Sequence, residues 1–179
     1  MVEIRQVETF DEAALAALVE PIFGDTALQR YFEALDGPEV SSARKALRDS
    51  QPKPERLRIG AFDGERLIGA SRGWFEGVNF YIGMSAVDPA YRRQGVYTRL
   101  LAGMEAAVRA RGGAQIDSNH VATNNAVLIA KLKLGYVITG VKFLESMGLL
   151  VHLTLHLTPE RKALFTSRTG TLRPDQAAP

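Results

Sequence analysis

Residues 86–101, AVDPAYRRQGVYTRLL, combine two arginines and a glycine at the point where a predicted strand gives way to a predicted helix. The first turn of a helix has unpaired backbone N–H groups and a partial positive charge, and such an end binds anions such as phosphates. Gly95 lets a ligand approach the backbone closely, and Arg92 and Arg93 can add charge-assisted hydrogen bonds. The stretch predicts a phosphate or pyrophosphate site; the alternative is a basic turn that only caps a surface helix.

Two other phosphate-binding motifs are missing from the sequence. It contains neither G-x-x-x-x-G-K-S/T nor G-x-G-x-x-G. These glycine-rich loops bind nucleoside triphosphates and dinucleotides, respectively. Their absence disfavours a nucleotide hydrolase and a dinucleotide-dependent enzyme.

A second set of residues with acid–base potential lies near the ends of two predicted strands. Asp117, Asn119 and His120 lie at the end of one strand, and Glu76 comes just before the strand 80–87. Histidine has an ordinary pKa of about 6.5, which suits a general base at neutral pH. The alternatives are a structural or exposed His120 and an exposed loop carboxylate at Glu76.

The sequence has few of the histidine and cysteine side chains that often bind a metal ion. His152 and His156 lie on one face of the last predicted strand with Thr154 between them, and the chain has no cysteine. A zinc centre normally needs three or four closely placed His, Cys, Asp or Glu ligands. We therefore expect no metal and interpret this face as half-wet or as a subunit contact.

A group of basic residues precedes and enters the first central strand. A solvated surface is the first interpretation, and an acidic acceptor or a ligand phosphate is the alternative. Its members are Arg44, Lys45, Arg48, Lys53, Arg56 and Arg58.

Hydrophobic periodicity predicts the element order β-α-α-β-β-β-α-β-α-β-β. The clearest hairpin turns at Asp63-Gly64, since glycine supplies the positive φ of a tight turn. A helix starts at Val96, and a later helix, capped by Thr123 or Asn124, ends at Gly135. Predicted helices also cover 9–23, 26–37 and 41–50, and strands cover 1–7, 80–87, 113–121, 136–143 and 149–157.

Length and composition predict one globular domain. The chain has 179 residues, of which 46% are hydrophobic and 23% charged, with a net charge of +2. The small charge argues against nucleic acid, and no apolar run is long enough to span a membrane. Because there is also no apolar signal core near Met1, we expect a cytoplasmic protein. We place a domain at 1–158, followed at 159–179 by a short helix and a disordered tail.

Two motifs resemble those of the GCN5-related N-acetyltransferase (GNAT) superfamily. VDPAYRRQGVYTRLL is similar to its acetyl-CoA signature, Q/R-x-x-G-x-G/A after V-x-P-x-Y/F, with Arg92 and Gly95 in register. Tyr97 stands where the family has glycine or alanine. NNAVLIAKLKLGY resembles the family's later helix, although Lys131 replaces its usual tyrosine. The resemblance implies an α+β (mixed α/β) fold: one GNAT-like domain whose mostly antiparallel, twisted sheet of about seven strands is flanked by helices and splayed at the acyl-CoA site.

The resemblance also implies a site for acetyl-CoA as co-substrate. Backbone amides from Arg93 to Thr98 would bind the pyrophosphate, and the pantetheine arm would lie along the strand end at 85–87. A backbone N–H near Val87 would polarise the thioester carbonyl. The implied CoA-binding residues are Ser85, Ala86, Val87, Arg92, Arg93, Gln94, Gly95, Val96, Tyr97, Thr98, Asn124 and Lys131.

The implied reaction is direct transfer of an acetyl group from the thioester to an amine, without a covalent enzyme intermediate. The candidate catalytic residues are Glu76 and His120 as bases and Lys131 as the proton donor to the thiolate. For Lys131 the alternative is an exposed polar position between Leu128 and Leu132. The acceptor is a small-molecule or peptide amine whose identity stays open.

Two rival functions stay open. The first is a CoA-binding regulatory module that has lost turnover, suggested by Tyr97, Lys131 and the lack of a carboxylate on strand 80–87. The second is a nucleic-acid-binding domain built on the basic face, which the small net charge disfavours. A homodimer through the apolar last strand is also left open.

Overall fold

The computed structural model describes residues 1–24, 37, 39–40, 42–47, 49–145 and 147–169. Within 42–47 and 49–50, where a helix over 41–50 is predicted, the described residues are helical, whereas the predicted helix at 26–37 lies outside the described residues except for Gly37. The strands are β1 Val2–Gln6, β2 Arg56–Asp63, β3 Arg66–Glu76, β4 Asn79–Val87, β5 Gln115–Val121, β6 Val137–Leu144 and β7 Gly148–His156. The helices used below are α1 Glu12–Phe23, α2 Val96–Arg109, α3 Asn125–Lys133 and α4 Pro159–Thr169.

The seven strands form one sheet in the order β1-β2-β3-β4-β5-β7-β6. Among its strand pairs only β4 and β5 run parallel, since α2 connects them as a crossover. The other five pairs are antiparallel. The predicted α+β class and mostly antiparallel seven-stranded sheet flanked by helices are confirmed.

The two faces of the sheet bury different side chains. On the face that we call the α2 face, Leu100, Met104 and Val108 of α2 are completely buried against Phe80 and Ile116. On the opposite face, the α1 face, Leu18 of α1 packs in a smaller cluster that includes Leu67, Ala70 and Ala86. The alternation along each strand therefore decides which helix a residue meets.

A bulge interrupts that alternation in β4. Arg72 of β3 is opposite Met84, but Gly73 is opposite Ile82, so Gly83 is an extra residue in β4. After the bulge Met84 packs beside α1, while Val87 belongs to the hydrophobic cluster on the α2 face, which we call the α2 cluster.

The same strand separates from its parallel neighbour. Pairing between β4 and β5 covers only Asn79–Tyr81 with Gln115–Asp117. The remaining six residues of β4 and four of β5 lie beyond this pairing. The predicted splay of the sheet between these two strands is confirmed.

Turns and caps follow from a few residues. Gly64 has φ 58° in the hairpin between β2 and β3, and Gly135 has φ 88° directly after α3. Asp11 caps α1 by accepting a hydrogen bond from Ala14 N–H at 2.8 Å. Asn124 caps α3 by accepting from Val127 N–H at 3.4 Å.

The last helix, α4, starts at Pro159, as predicted for a short helix after residue 158. Residues 170–179, the predicted tail, lie outside the described residues. The division into 1–158 and 159–179 stays a prediction. Among the described helices, none is long and apolar enough to cross a membrane. The cytoplasmic location and the lack of a nucleic-acid partner also stay predictions.

Candidate functional site

The strand-turn-helix at residues 86–101 leaves the N-terminus of α2 open. Gly95 precedes the helix with φ 76°, a value that favours glycine, and no side chain caps the helix. The first bond of the helix joins Arg99 N–H to the Gly95 carbonyl at 3.0 Å. The amides of residues 96–98 therefore precede the hydrogen-bonded ladder, as an anion site requires.

The arginines before α2 have different environments. Arg92 Nε donates to the Val87 carbonyl at 3.2 Å, so this side chain ties the turn to the end of β4. Arg93 is exposed and has φ 59°, a left-handed value that costs a non-glycine residue about 1 kcal/mol. Gln94 Nε2 donates to the Ala90 carbonyl at 2.9 Å. The turn is thus held by its own side chains, and a Cβ on Gly95 would meet open space.

Tyr97 does not fill the open end of the helix. Its side chain packs against the α2 cluster, and its hydroxyl is buried with no hydrogen-bond partner in the described structure. Burial raises the pKa of this phenol. The Tyr97 ring therefore packs on the core side of the first turn of α2.

Polar groups line the gap between β4 and β5 on the α2 face. Ser85 Oγ lies 2.9 Å from Ser71 Oγ on one side. Ser118, the first β5 residue after the paired segment, accepts a hydrogen bond from Lys131 Nζ at 2.6 Å on the other side. His120 Nε2 lies 3.2 Å from the same Ser118 oxygen. The structure thus brings Ser118, His120 and Lys131 together beside the gap.

Lys131 is completely buried, so its alternative as an exposed position is wrong. Leu132 is 43% exposed instead, because α3 turns its lysine rather than this leucine toward the sheet. Lys131 Nζ lies 4.4 Å from the centre of the Tyr136 ring, a cation–π distance. Burial lowers the pKa of Lys131 to about 7, while the Asp117 carboxylate acts in the opposite direction.

His120 loses the basicity expected of it. Burial, and then the charge of Lys131, lower its pKa to about 4. At neutral pH the ring is neutral and a weak base. Its predicted catalytic role stays a prediction, but the premise of an ordinary histidine pKa does not hold.

Glu76 lies at the far end of β4 from the open gap. It is the last residue of β3, is exposed, and is opposite Asn79, where β4 is still paired with β5. Its carboxylate accepts a hydrogen bond from Trp74 Nε1 at 2.8 Å. This placement matches the alternative of an exposed acid, and the catalytic role of Glu76 stays a prediction.

On the α1 face, a chain of hydrogen bonds starts where β4 and β5 part. Asn119 Nδ2 donates to the Tyr81 hydroxyl at 3.0 Å, and Asn119 Oδ1 lies 2.9 Å from His152 Nδ1. His152 Nε2 lies 3.3 Å from Asp117 Oδ1, which also accepts from Thr154 Oγ1 at 2.6 Å. The polar side chains His152 and Thr154 of β7 therefore contact the polar side chains of β5 on this face.

No metal cluster accompanies these groups. In the described part of the chain, no three His, Asp or Glu side chains are grouped so that they could hold a metal ion.

A cleft of about 290 Å³ opens on the α1 face next to the bulge. Of its residues the sequence analysis missed Arg72, Trp74 and Gly83, although a glycine inside a strand is a known signal of a bulge. The cleft is lined by Arg56, Leu57, Arg58, Arg72, Gly73, Trp74, Gly83 and Met84.

The family model described as "Acetyltransferase (GNAT) family" matches residues 24–136. The chain belongs to the GNAT acetyltransferase family. This match spans both motifs on which the resemblance was based, the arginine-glycine turn and the helix from Asn124 to Gly135. No curated protein matches the chain.

Solved structures share the GNAT fold. The ribosomal-protein-S18-alanine N-acetyltransferase of Escherichia coli has a TM-score of 0.67 at 18% identity, covering 88% of this chain and 95% of that one. An aminoglycoside 6'-N-acetyltransferase complexed with coenzyme A has a TM-score of 0.62 at 17% identity, covering 88% and 98%. The PaiA N-acetyltransferase of Thermoplasma acidophilum, in complex with coenzyme A, has a TM-score of 0.58 at 15% identity, covering 85% and 98%. At these identities the likeness shows the fold.

Proposed function

We propose that this GNAT protein is an acetyl-CoA-dependent N-acetyltransferase. The observation that carries the proposal is the uncapped N-terminus of α2, which lies at the end of β4 beside the gap between β4 and β5. An anion site and a slot between separated strands suit a ligand with a pyrophosphate at one end and an extended arm. CoA has this shape, and two CoA-bound structures share the fold.

The residues on both sides of the gap fit this ligand. The amides from Arg93 to Thr98 would bind the pyrophosphate, assisted by the two guanidinium groups of the turn. The arm would lie along 85–87, where a backbone N–H would polarise the thioester carbonyl. Asn124 and Lys131 would line the other side. Lys131 Nζ donates to Ser118, the first β5 residue that is not paired with β4, and this contact supports the arrangement.

The reaction forms a bond between the acceptor nitrogen and the acetyl carbon while the carbon–sulfur bond breaks. Starting from the ammonium form, the nitrogen loses two protons, of which the sulfur gains one and the solvent the other. Removing the first proton from an alkylammonium of pKa about 10.4 at pH 7 costs roughly 4–5 kcal/mol. A water held by the Tyr81 hydroxyl, at the point where the strands part, would relay this proton to bulk solvent, and the second proton leaves the nitrogen as the carbon–sulfur bond breaks. Lys131 would protonate the thiolate, since a pKa of about 7 leaves the ammonium half populated at neutral pH.

The first experiment measures acetyl-CoA binding by calorimetry and thiol release with a panel of primary amines. We expect binding, and turnover with at least one amine. Lys131→Met should lower kcat roughly 10- to 100-fold and change the CoA dissociation constant little. Lys162→Met, an exposed lysine of α4, is the matched control and should keep both values.

The outcomes separate the proposal from its rival. Absence of CoA binding contradicts the proposal altogether. Binding without thiol release for any amine favours the regulatory CoA-binding module. That rival is supported by the lack of a carboxylate side chain on β4.

A further inference from the structure

We propose that the acceptor amine also carries an anionic group, a carboxylate or a phosphate, which binds between Arg58 and Arg72 on the α1 face. That this ligand is an acetyl acceptor rests on the proposed acetyl transfer. The anion site itself depends only on the two arginines.

Two arginines lie directly opposite each other on neighbouring strands. Arg58 of β2 and Arg72 of β3 are register partners. Leu57 and Ile59, which flank Arg58, are buried on the α2 face, so Arg58 and its register partner project from the α1 face. Like charges at opposed positions of neighbouring strands destabilise a sheet. An anion bound between the two guanidinium groups would attract both and offset their mutual repulsion.

The described structure supplies no carboxylate to this pair. Arg58 Nη1 donates to the Glu8 carbonyl at 2.6 Å, which fixes the side chain and leaves other N–H groups for a ligand. Arg72 is exposed, and no described residue forms a hydrogen bond or an ion pair with its guanidinium group. Arg56, which lines the same cleft, also has no such partner among the described residues. Arginine is the residue best suited to bidentate recognition of carboxylate and phosphate.

The cleft around the pair has the size and position of an acceptor site. Its volume of about 290 Å³ suits a small molecule, and Trp74 and Met84 give it apolar walls. Met84 directly precedes Ser85, the first of the residues 85–87 along which the pantetheine arm is proposed to lie. The Trp74 ring lies 4.9 Å from that of Tyr81, the last β4 residue paired with β5. An anion held by the arginines would therefore leave its amine near the opening between these strands.

The kinetic test compares amines that differ only in the anion. The pairs are phenylalanine with 2-phenylethylamine, lysine with cadaverine, and O-phosphoethanolamine with ethanolamine. We expect the anionic member of at least one pair to have a kcat/KM roughly 10- to 100-fold higher, as charge-assisted hydrogen bonds allow. Arg72→Met and Arg58→Met should remove this preference mainly through KM. Arg168→Met, an exposed arginine of α4, should retain it.

A binding test decides the question even if no amine is turned over. Trp74 is the single tryptophan of the chain and lines the cleft, so its fluorescence reports occupancy. Titration of the free protein with the same six compounds should change the Trp74 emission for the anionic members. Their dissociation constants should rise at least about tenfold in Arg72→Met. Equal responses to anionic and neutral members, no response at all, or an unchanged response in Arg72→Met would overturn the proposal. A preference limited to the carboxylates or to the phosphate identifies the anion.

Discussion

A lysine with no exposed surface is the most unusual side chain near the proposed CoA site. Lys131 combines a hydrogen bond to Ser118, a contact with the Tyr136 ring and a lowered pKa. An ammonium without a carboxylate in contact is costly to bury, and the protein tolerates it by favouring the neutral amine. The same property lets the group change its protonation state at neutral pH.

The buried lysine should make stability depend on pH. Its pKa is about 10.4 in the unfolded chain and about 7 in the folded one, so the unfolded state binds more protons between these values. The free energy of unfolding should therefore rise with pH from about 7 to about 10. Urea denaturation should show wild type gaining on the order of a few kcal/mol more than Lys131→Met between pH 6 and pH 9. Parallel pH profiles for the two proteins would contradict this.

At the scale of elements, the bulge at Gly83 and the parting of β4 from β5 determine both proposed ligand sites. The bulge aims Met84 at the α1 face and Ser85 at the gap. The β4–β5 ladder ends at Tyr81 and Asp117, so beyond these residues the two strands do not pair with each other beside that gap. Bulges commonly occur next to functional sites for this reason.

Sequence patterns predicted much of this arrangement. The apolar spacing from Val96 and the glycine at 95 marked α2 and its open end, and Asn124 and Gly135 marked the ends of α3. The bulge was not predicted, because an extra residue is defined only by the register with the partner strand. For Lys131 the sequence left a role beside the CoA arm and an exposed position both open, since α3 has no clean apolar stripe to show which face is buried.

A substitution at the bulge should perturb the cleft directly. A Cβ on Gly83 would overlap the Trp74 ring, so Gly83→Ala should force that ring to move and destabilise the protein by about 1–3 kcal/mol. The Trp74 emission should shift in the folded state. Gly140→Ala in β6 is the control, since a Cβ there meets open space. Equal urea midpoints for the two variants would argue against a tight Trp74–Gly83 contact.

For the molecule as a whole, the sheet ends in β6, an edge strand with an apolar surface. Phe143 is 71% exposed, Val141 66% and Ile138 53%, and Leu149 of β7, the register partner of Phe143, is also more than half exposed. An unpaired edge with apolar side chains is a ready template for another strand. The sequence left open a homodimer through the last strand, β7, but β7 is paired with β5 on one side and β6 on the other. A homodimer stays a prediction, and we expect it to use the edge of β6 instead.

Self-association through β6 can be measured by sedimentation velocity over a concentration series. We expect a reversible dimer whose dissociation constant rises at least about tenfold in Phe143→Lys, because the new charge would have to be desolvated. Val78→Lys, at a 56% exposed position in the turn between β3 and β4, should leave it unchanged. A monomer at every concentration, or the same weakening in both variants, would rule out this edge as the contact.

The extra residue at position 83 also determines how relatives of this chain should be aligned with it. The bulge absorbs Gly83, so a homologue without this residue would keep its next side chain opposite Arg72 and the one after it opposite Ser71. The side chains after the bulge would therefore stay on their present faces. An alignment that places the one-residue gap after position 87 instead of at 83 would assign the groups at the gap to the wrong residues.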